Sequence, residues 1–182
     1  MQKINHFYHS IQGWPNQLPW LYQQMVLAAD NGSHFVEVGS WKGASAASMC
    51  VEIINSEKNI KFDCVDLWPE YAPDNSLDHY PDNALYKEFM KNLEPVAGTF
   101  NAIQLPSIEA AKLYEDNSLD FVCIDGSHHY DDVKADILAW MPKVRSGGIL
   151  AGDDFPYEGV ARSVKELCPG ATCEIAWWWT KP

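Results

Sequence analysis

Basic residues are scarce in this chain: 13 Lys and Arg stand against 25 Asp and Glu, for a formal charge of -12 and a pI near 4.7. Nucleic-acid affinity rests largely on Lys and Arg, so the balance argues against broad phosphate-backbone binding and against an anionic membrane surface. No apolar run approaches the ~18 residues of a membrane span, and the opening MQKINHFYHS lacks a signal-peptide core. A cytoplasmic location is the expectation. The cysteines, at 50, 64, 123, 168 and 173, form no CxxC pair and are odd in number, which points to buried free thiols in a reducing compartment. Internal repeats and low-complexity tracts are absent, and so is the GxGxxG spacing that brings three glycines to a pyrophosphate.

Against these absences, apolar residues make up 47% of the chain and aromatics 13%, which is a globular composition. At 182 residues the chain holds one well-buried core and is too short for two ordinary domains. One domain over 1–182 is expected, with residues 1–17 as an N-terminal extension. The eight tryptophans need places in a core, a pocket or an interface.

The stretch FVCIDGSHHYDDVKADILAWMPKVRSGGILAGDDF, residues 121–155, reads as strand, loop, helix, loop, strand. Phe121 to Ile124 run into Asp125 and Gly126. Ile149 to Ala151 end in Gly152, Asp153 and Asp154. If the strands are parallel neighbours, their exits lie about 4.8 Å apart and the three aspartates converge at one sheet edge. Two carboxylates about 4 Å apart repel by roughly 4 kcal/mol at an effective dielectric near 20. Either a cation is bound there, with Mg2+ favoured by hard oxygen ligands, or a pKa is raised.

Upstream, Leu21, Tyr22, Met25 and Ala29 repeat at helical spacing up to a stop at Asn31-Gly32. Phe35 to Val38 form a buried strand, Gly39 to Gly43 a tight loop, and Ala47 to Ile54 an apolar helix stripe. Gly39 permits a sharp turn and close ligand approach, and the following helix N-terminus suits a carboxylate or phosphate. KFDCVDLW is a second strand whose terminal Asp66 is placed to accept from ribose hydroxyls, with Trp68 beyond it either covering a nucleoside or packed in the core. Residues 69–83 carry three prolines and read as a lid loop. A helix through Leu85, Phe89 and Leu93 follows, then a strand from Phe100 to Leu105 and a helix opened by Ser107 as N-cap. After Asp154 come one more helix, through Val160, Val164 and Leu167, and an aromatic strand or short hairpin. Strands alternating with helices give an α/β, Rossmann-like, doubly wound domain: a mainly parallel sheet with helices on both faces and ligands beyond the strand carboxyl ends.

Taken together, Glu37-Val-Gly39-Ser-Trp-Lys-Gly43-Ala-Ser45, Asp66-Leu-Trp68, Asp125-Gly-Ser-His128 and Gly147-Gly148 before Asp153-Asp154 resemble the class I S-adenosylmethionine-dependent methyltransferases, in their small metal-dependent O-methyltransferase branch. The likeness covers roughly residues 18–168. It implies that Glu37, Gly39, Ser40 and Gly43 hold the amino-acid end of S-adenosylmethionine, Asp66 and Trp68 its nucleoside, and Ser107, Asp125 and Gly126 its adenine side. It also implies Mg2+ on Asp125, Asp153 and Asp154, and a general base at His128, with His129 or Asp125 able to share that role. The family's closing antiparallel hairpin finds no clear turn here, so the sheet is expected to be shortened at its C-terminal edge. The run Trp177-Trp178-Trp179 is then either packed inward or used for a homodimer.

The expected activity is O-methylation of a small hydroxylated substrate with Mg2+ assistance. An inactive nucleoside-binding protein and an NAD-dependent oxidoreductase stand as alternatives. Neither nucleic acid nor membrane is an expected partner.

Overall fold

Short apolar runs alternating with amphipathic segments become strands and helices in that order in the computed structural model, which describes residues 3–69 and 79–182. The order is α1 (Leu18–Ala28), β1 (His34–Val38), α2 (Ala44–Ser56), β2 (Lys61–Asp66), α3 (Ala84–Asn92), β3 (Asn101–Gln104) and α4 (Ser107–Ala111). It continues with β4 (Leu119–Ile124), α5 (Tyr130–Trp140), β5 (Val144–Gly152), α6 (Glu158–Leu167), β6 (Thr172–Cys173) and β7 (Trp177–Thr180). The lid expected over residues 69–83 falls, from 70 to 78, outside the described residues.

One sheet results, ordered β3-β2-β1-β4-β5-β7-β6, parallel from β3 to β5 and antiparallel where β7 meets β5 and β6. Alternate side chains along each strand enter opposite layers. Phe35, Phe121, Cys123 and Ala151 pack against α1, α2 and α3, whereas Val36, Val122, Ile124 and Leu150 pack against α4, α5 and α6. Burial of each Phe, Val, Ile or Leu among these contributes about 1.5–3 kcal/mol. β1 and β4 are neighbours, as are β4 and β5, with Ile124 level with Gly152. Asp125 and Asp153 therefore leave adjacent strands at the same height.

Three local expectations change. α1 stops at Ala28, short of Asn31-Gly32, because Lys58 Nζ reaches across from beyond α2 and donates to the carbonyls of Val26, Leu27 and Ala29, each at 2.8 Å. Gly147 and Gly148 lie inside β5, where the register to β4 shifts between Leu119 and Phe121. A Cβ on Gly148 would stand 3.0 Å from the Asp120 carbonyl, so the glycine serves a bulge inside the strand, in what the sequence pattern reads as the loop before Ile149. The sheet also does close with an antiparallel hairpin: Glu174 N–H donates to Ala176 O at 2.8 Å, and β6 pairs with β7. The tryptophan run is packed inward on both sides of the sheet, with Trp177 fully buried among the α5 and α6 residues and Trp178 against the α1 layer.

Candidate active site

The site occupies the carboxyl ends of β1, β2, β4 and β5. Gly39 leaves β1 at φ +91°, and its N–H donates to Val65 O at 2.8 Å. A Cβ there would lie 2.1 Å from the Asp125 carbonyl oxygen, so the backbone that Gly39 admits is the chain's own β4 exit. Asp125 N–H completes the junction on Val38 O at 2.8 Å. Gly43, at φ +88°, precedes α2 and packs against Phe89 and Leu93.

Beneath this loop Glu37 is fully buried and turned toward α1, where the Tyr22 hydroxyl donates to its Oε2 at 2.6 Å. Burial pushes the Glu37 carboxyl above its ordinary range. Among the described residues its Oε1 and the Ser40 hydroxyl have no protein partner. Asp66 ties together the loops that follow β1 and β2. Its Oδ2 accepts from Trp41 N–H at 2.8 Å and its Oδ1 from Trp68 N–H at 2.6 Å. Both tryptophans hold positive φ, +40° and +44°, a strained conformation that this shared carboxylate helps to fix. Trp68 is not a free cover for a nucleoside: it is 2% exposed, packs on Phe89 and donates its Nε1–H to Trp41 O at 2.7 Å. Ser107 likewise does not cap α4. Pro106 holds the N-cap position, while the Ser107 hydroxyl accepts from Trp140 Nε1–H at 2.9 Å.

On the opposite side of the mouth, Asp125 is half-buried. Burial, and then the carboxylates of Asp153, Glu37, Asp154 and Asp66, push its carboxyl well above the usual range. Asp153 is 3% exposed, and burial raises its pKa too. Its Oδ2 accepts from Asn16 Nδ2 at 3.3 Å, and its Oδ1 has no protein partner among the described residues. Asp154 adopts φ +59° and directs its Oδ2 to His128 Nε2 at 2.7 Å. The imidazole is half-exposed and stacks on Tyr157, with ring centroids 4.6 Å apart and planes inclined by 16°. His129 lies on the exposed surface, where its N–H donates to the Ser127 hydroxyl.

The expected gathering of Asp125, Asp153 and Asp154 at one edge is present, but the expected Mg2+ ligand set is not. Among the described residues, no three of His, Cys, Asp and Glu stand as a metal-binding group. Asp154 is turned to His128 and Asp153 to Asn16, which leaves the trio divided. The cofactor side fits its ligand better. Among the described residues Glu37 Oε1 and Ser40 Oγ have no hydrogen-bond partner, and each Asp66 oxygen keeps a lone pair after its backbone bond.

The chain also folds a segment over this mouth that sequence patterning left unassigned. Gln12 Oε1 accepts from Lys42 Nζ at 2.8 Å, Trp14 stacks on Trp41 at 5.4 Å, Asn16 reaches Asp153, and Gln17 bonds Glu174 and the N–H of Ala176. No local signal marks such contacts. Each joins residues far apart in the chain.

A parallel sheet ending in an antiparallel hairpin, with a glycine turn after β1 and an acidic residue at the end of β2, defines the class I S-adenosylmethionine-dependent methyltransferases. The family model for the methyltransferase domain matches residues 36–155, and the chain belongs to that family. An uncharacterized protein of Sinorhizobium fredii, y4gI, is 25% identical over 149 residues, a match that takes in 82% of this chain and 16% of that protein. The chain thus spans about a sixth of that relative's length. Among solved structures, the O-methyltransferase NovP superposes with a TM-score of 0.70 at 14% identity, over 90% of this chain and 78% of its own. CalS11, a TDP-rhamnose 3'-O-methyltransferase of calicheamicin biosynthesis, superposes with a TM-score of 0.59 at 13% identity, over 89% and 77%. At such identities the likeness establishes the fold. No helix among the described residues is long and apolar enough to cross a membrane.

Proposed function

We propose that the chain is an O-methyltransferase for a small hydroxylated acceptor, with His128 as the base that Asp154 orients. The observation that carries this reading is the 2.7 Å pair between His128 Nε2 and Asp154 Oδ2 at the exits of two adjacent strands. With a carboxylate on Nε2, that nitrogen keeps its proton and Nδ1 is the basic position. Tyr157, stacked on the ring, holds its plane. Bound S-adenosylmethionine would supply a methyl group on a cationic sulfur. The acidic rim of Asp125, Asp153 and Asp154 suits that positive charge. Nδ1 takes the acceptor hydroxyl proton, the oxygen forms its bond to the methyl carbon, and the carbon–sulfur electron pair stays with sulfur. Both solved neighbours described above carry names with oxygen as the methyl acceptor, which supports the same chemistry here.

Because the three aspartates do not form a ligand group, no step of this reading passes through Mg2+. Calorimetry with S-adenosylmethionine, S-adenosylhomocysteine and NAD tests the cofactor. Binding of the two sulfur nucleosides and not NAD is expected, and tight NAD binding without them would refute the reading. Turnover of hydroxylated acceptors should persist in EDTA. Its loss there, with recovery on adding Mg2+, would return the cation to Asp125, Asp153 and Asp154.

A further inference from the structure

Under the β4 and β5 exits, on the side of α5 and α6, lies a small cleft whose lining includes Asp125, His128, Val133, Asp153, Val160 and Trp177. It leaves about 10 Å³ of room for the centre of a water-sized molecule, close to what a single water needs. Two of the lining side chains are almost wholly buried, Trp177 at 0% and Asp153 at 3% exposure. Each carries a polar atom with no protein partner among the described residues: the indole Nε1–H of Trp177 and the Oδ1 of Asp153. Both residues line the same cleft, and the strand pairing sets their backbones beside each other. Trp177 pairs with Gly152, the residue before Asp153, and a Cβ on Gly152 would meet Trp177 Nε1 at 2.6 Å.

The two atoms are a donor and an acceptor, which restricts what can satisfy both. A metal cation gains nothing from an indole N–H, whose positive hydrogen repels it. An anion is repelled by the carboxylate. A neutral molecule that accepts at one end and donates at the other meets both demands, and only the smallest such molecule fits the space.

We propose that this cleft is a built site for one water molecule, which accepts from Trp177 Nε1 and donates to Asp153 Oδ1. Asp125, Ser127 and Asp154 in the same lining serve its remaining hydrogen-bonding capacity. With Asn16 on Oδ2 and the water on Oδ1, both oxygens of Asp153 are committed, so this side chain is a fixed wall of the site. The proposal stands apart from the methylation reading and does not need a known acceptor.

The test is NMR of the full chain with nitrogen-15 in its indole groups, in EDTA. The indole resonance lost in Trp177→Phe identifies Trp177. In the wild type that Nε1–H should show a direct cross-peak to a bound water, and Asp153→Ala should weaken it. Absence of the cross-peak overturns the proposal, as does its disappearance when Mg2+ is added and shifts the same resonance. Should the Phe variant fail to fold, a high-resolution crystal structure of the wild type decides. A water about 2.9 Å from both atoms is expected. A dry cleft, or a peak with carboxylate contacts near 2.1 Å, a Mg2+ distance, refutes it.

Discussion

His128 owes its candidate role to its neighbours, since imidazole alone is common on surfaces. Asp154 on Nε2 and Tyr157 under the ring leave one nitrogen and one orientation. His128→Ala is expected to lower turnover by about 10²–10⁴ while S-adenosylmethionine affinity by calorimetry stays unchanged. Asp154→Asn tolerates the same positive φ and should fold normally, with a smaller loss of turnover. Asp136 offers a separate test. It is 8% exposed, with burial as the main cause that pushes its carboxyl to about 6 from an ordinary 3.8. The folded chain therefore holds this proton where the unfolded chain releases it, so stability falls as pH rises from 3.8 through about 6 and stays lower above that. Asp136→Asn should flatten that slope in thermal melts. At neutral pH it should raise stability by about 1–3 kcal/mol, the scale of a shift of roughly two pH units.

Elements differ in how openly the sequence declares them. Phe121 to Ile124 is an uninterrupted apolar run, and Phe35 to Val38 and the run leading into Asp66 are apolar but for Glu37 and Asp63; each is a buried strand. The aspartates after β4 and β5 were legible for the same reason, since strand ends are set by where an apolar run meets Asp or Gly. What stayed hidden depends on residues remote in sequence. Trp68 and Trp41 share one carboxylate from β2, and Asn16 meets Asp153 across the mouth. Side-chain direction was equally unreadable, so Ser107 passed for a helix cap while its hydroxyl faces Trp140. The end of α1 belongs to this group. Lys58 satisfies three carbonyls there, so Lys58→Met should fray α1 and lower stability by about 1–2 kcal/mol in denaturant titration. An unchanged midpoint would show that solvent serves those carbonyls as well.

At the scale of the whole molecule, the sheet sets Glu37 and Asp66, on β1 and β2, apart from Asp125, Asp153 and His128, beyond β4 and β5, and the segment through Asn16 touches both groups of loops. The far side of β5 is covered by β7, which pairs with it from Ile149 to Gly152. Deleting residues 177–182 would strip that cover and leave a long hydrophobic edge. Aggregation by light scattering is expected, and a monodisperse, cooperatively melting product would contradict it. β7 also lies inside β6 in the sheet although β6 comes first in the chain. During synthesis, Thr172 and Cys173 therefore emerge before the strand they pair with, and β5 waits unpaired on one side until Trp177 to Thr180 follow. A nascent chain held by the ribosome just short of that point should bind chaperones, and release of the last strand should end that dependence.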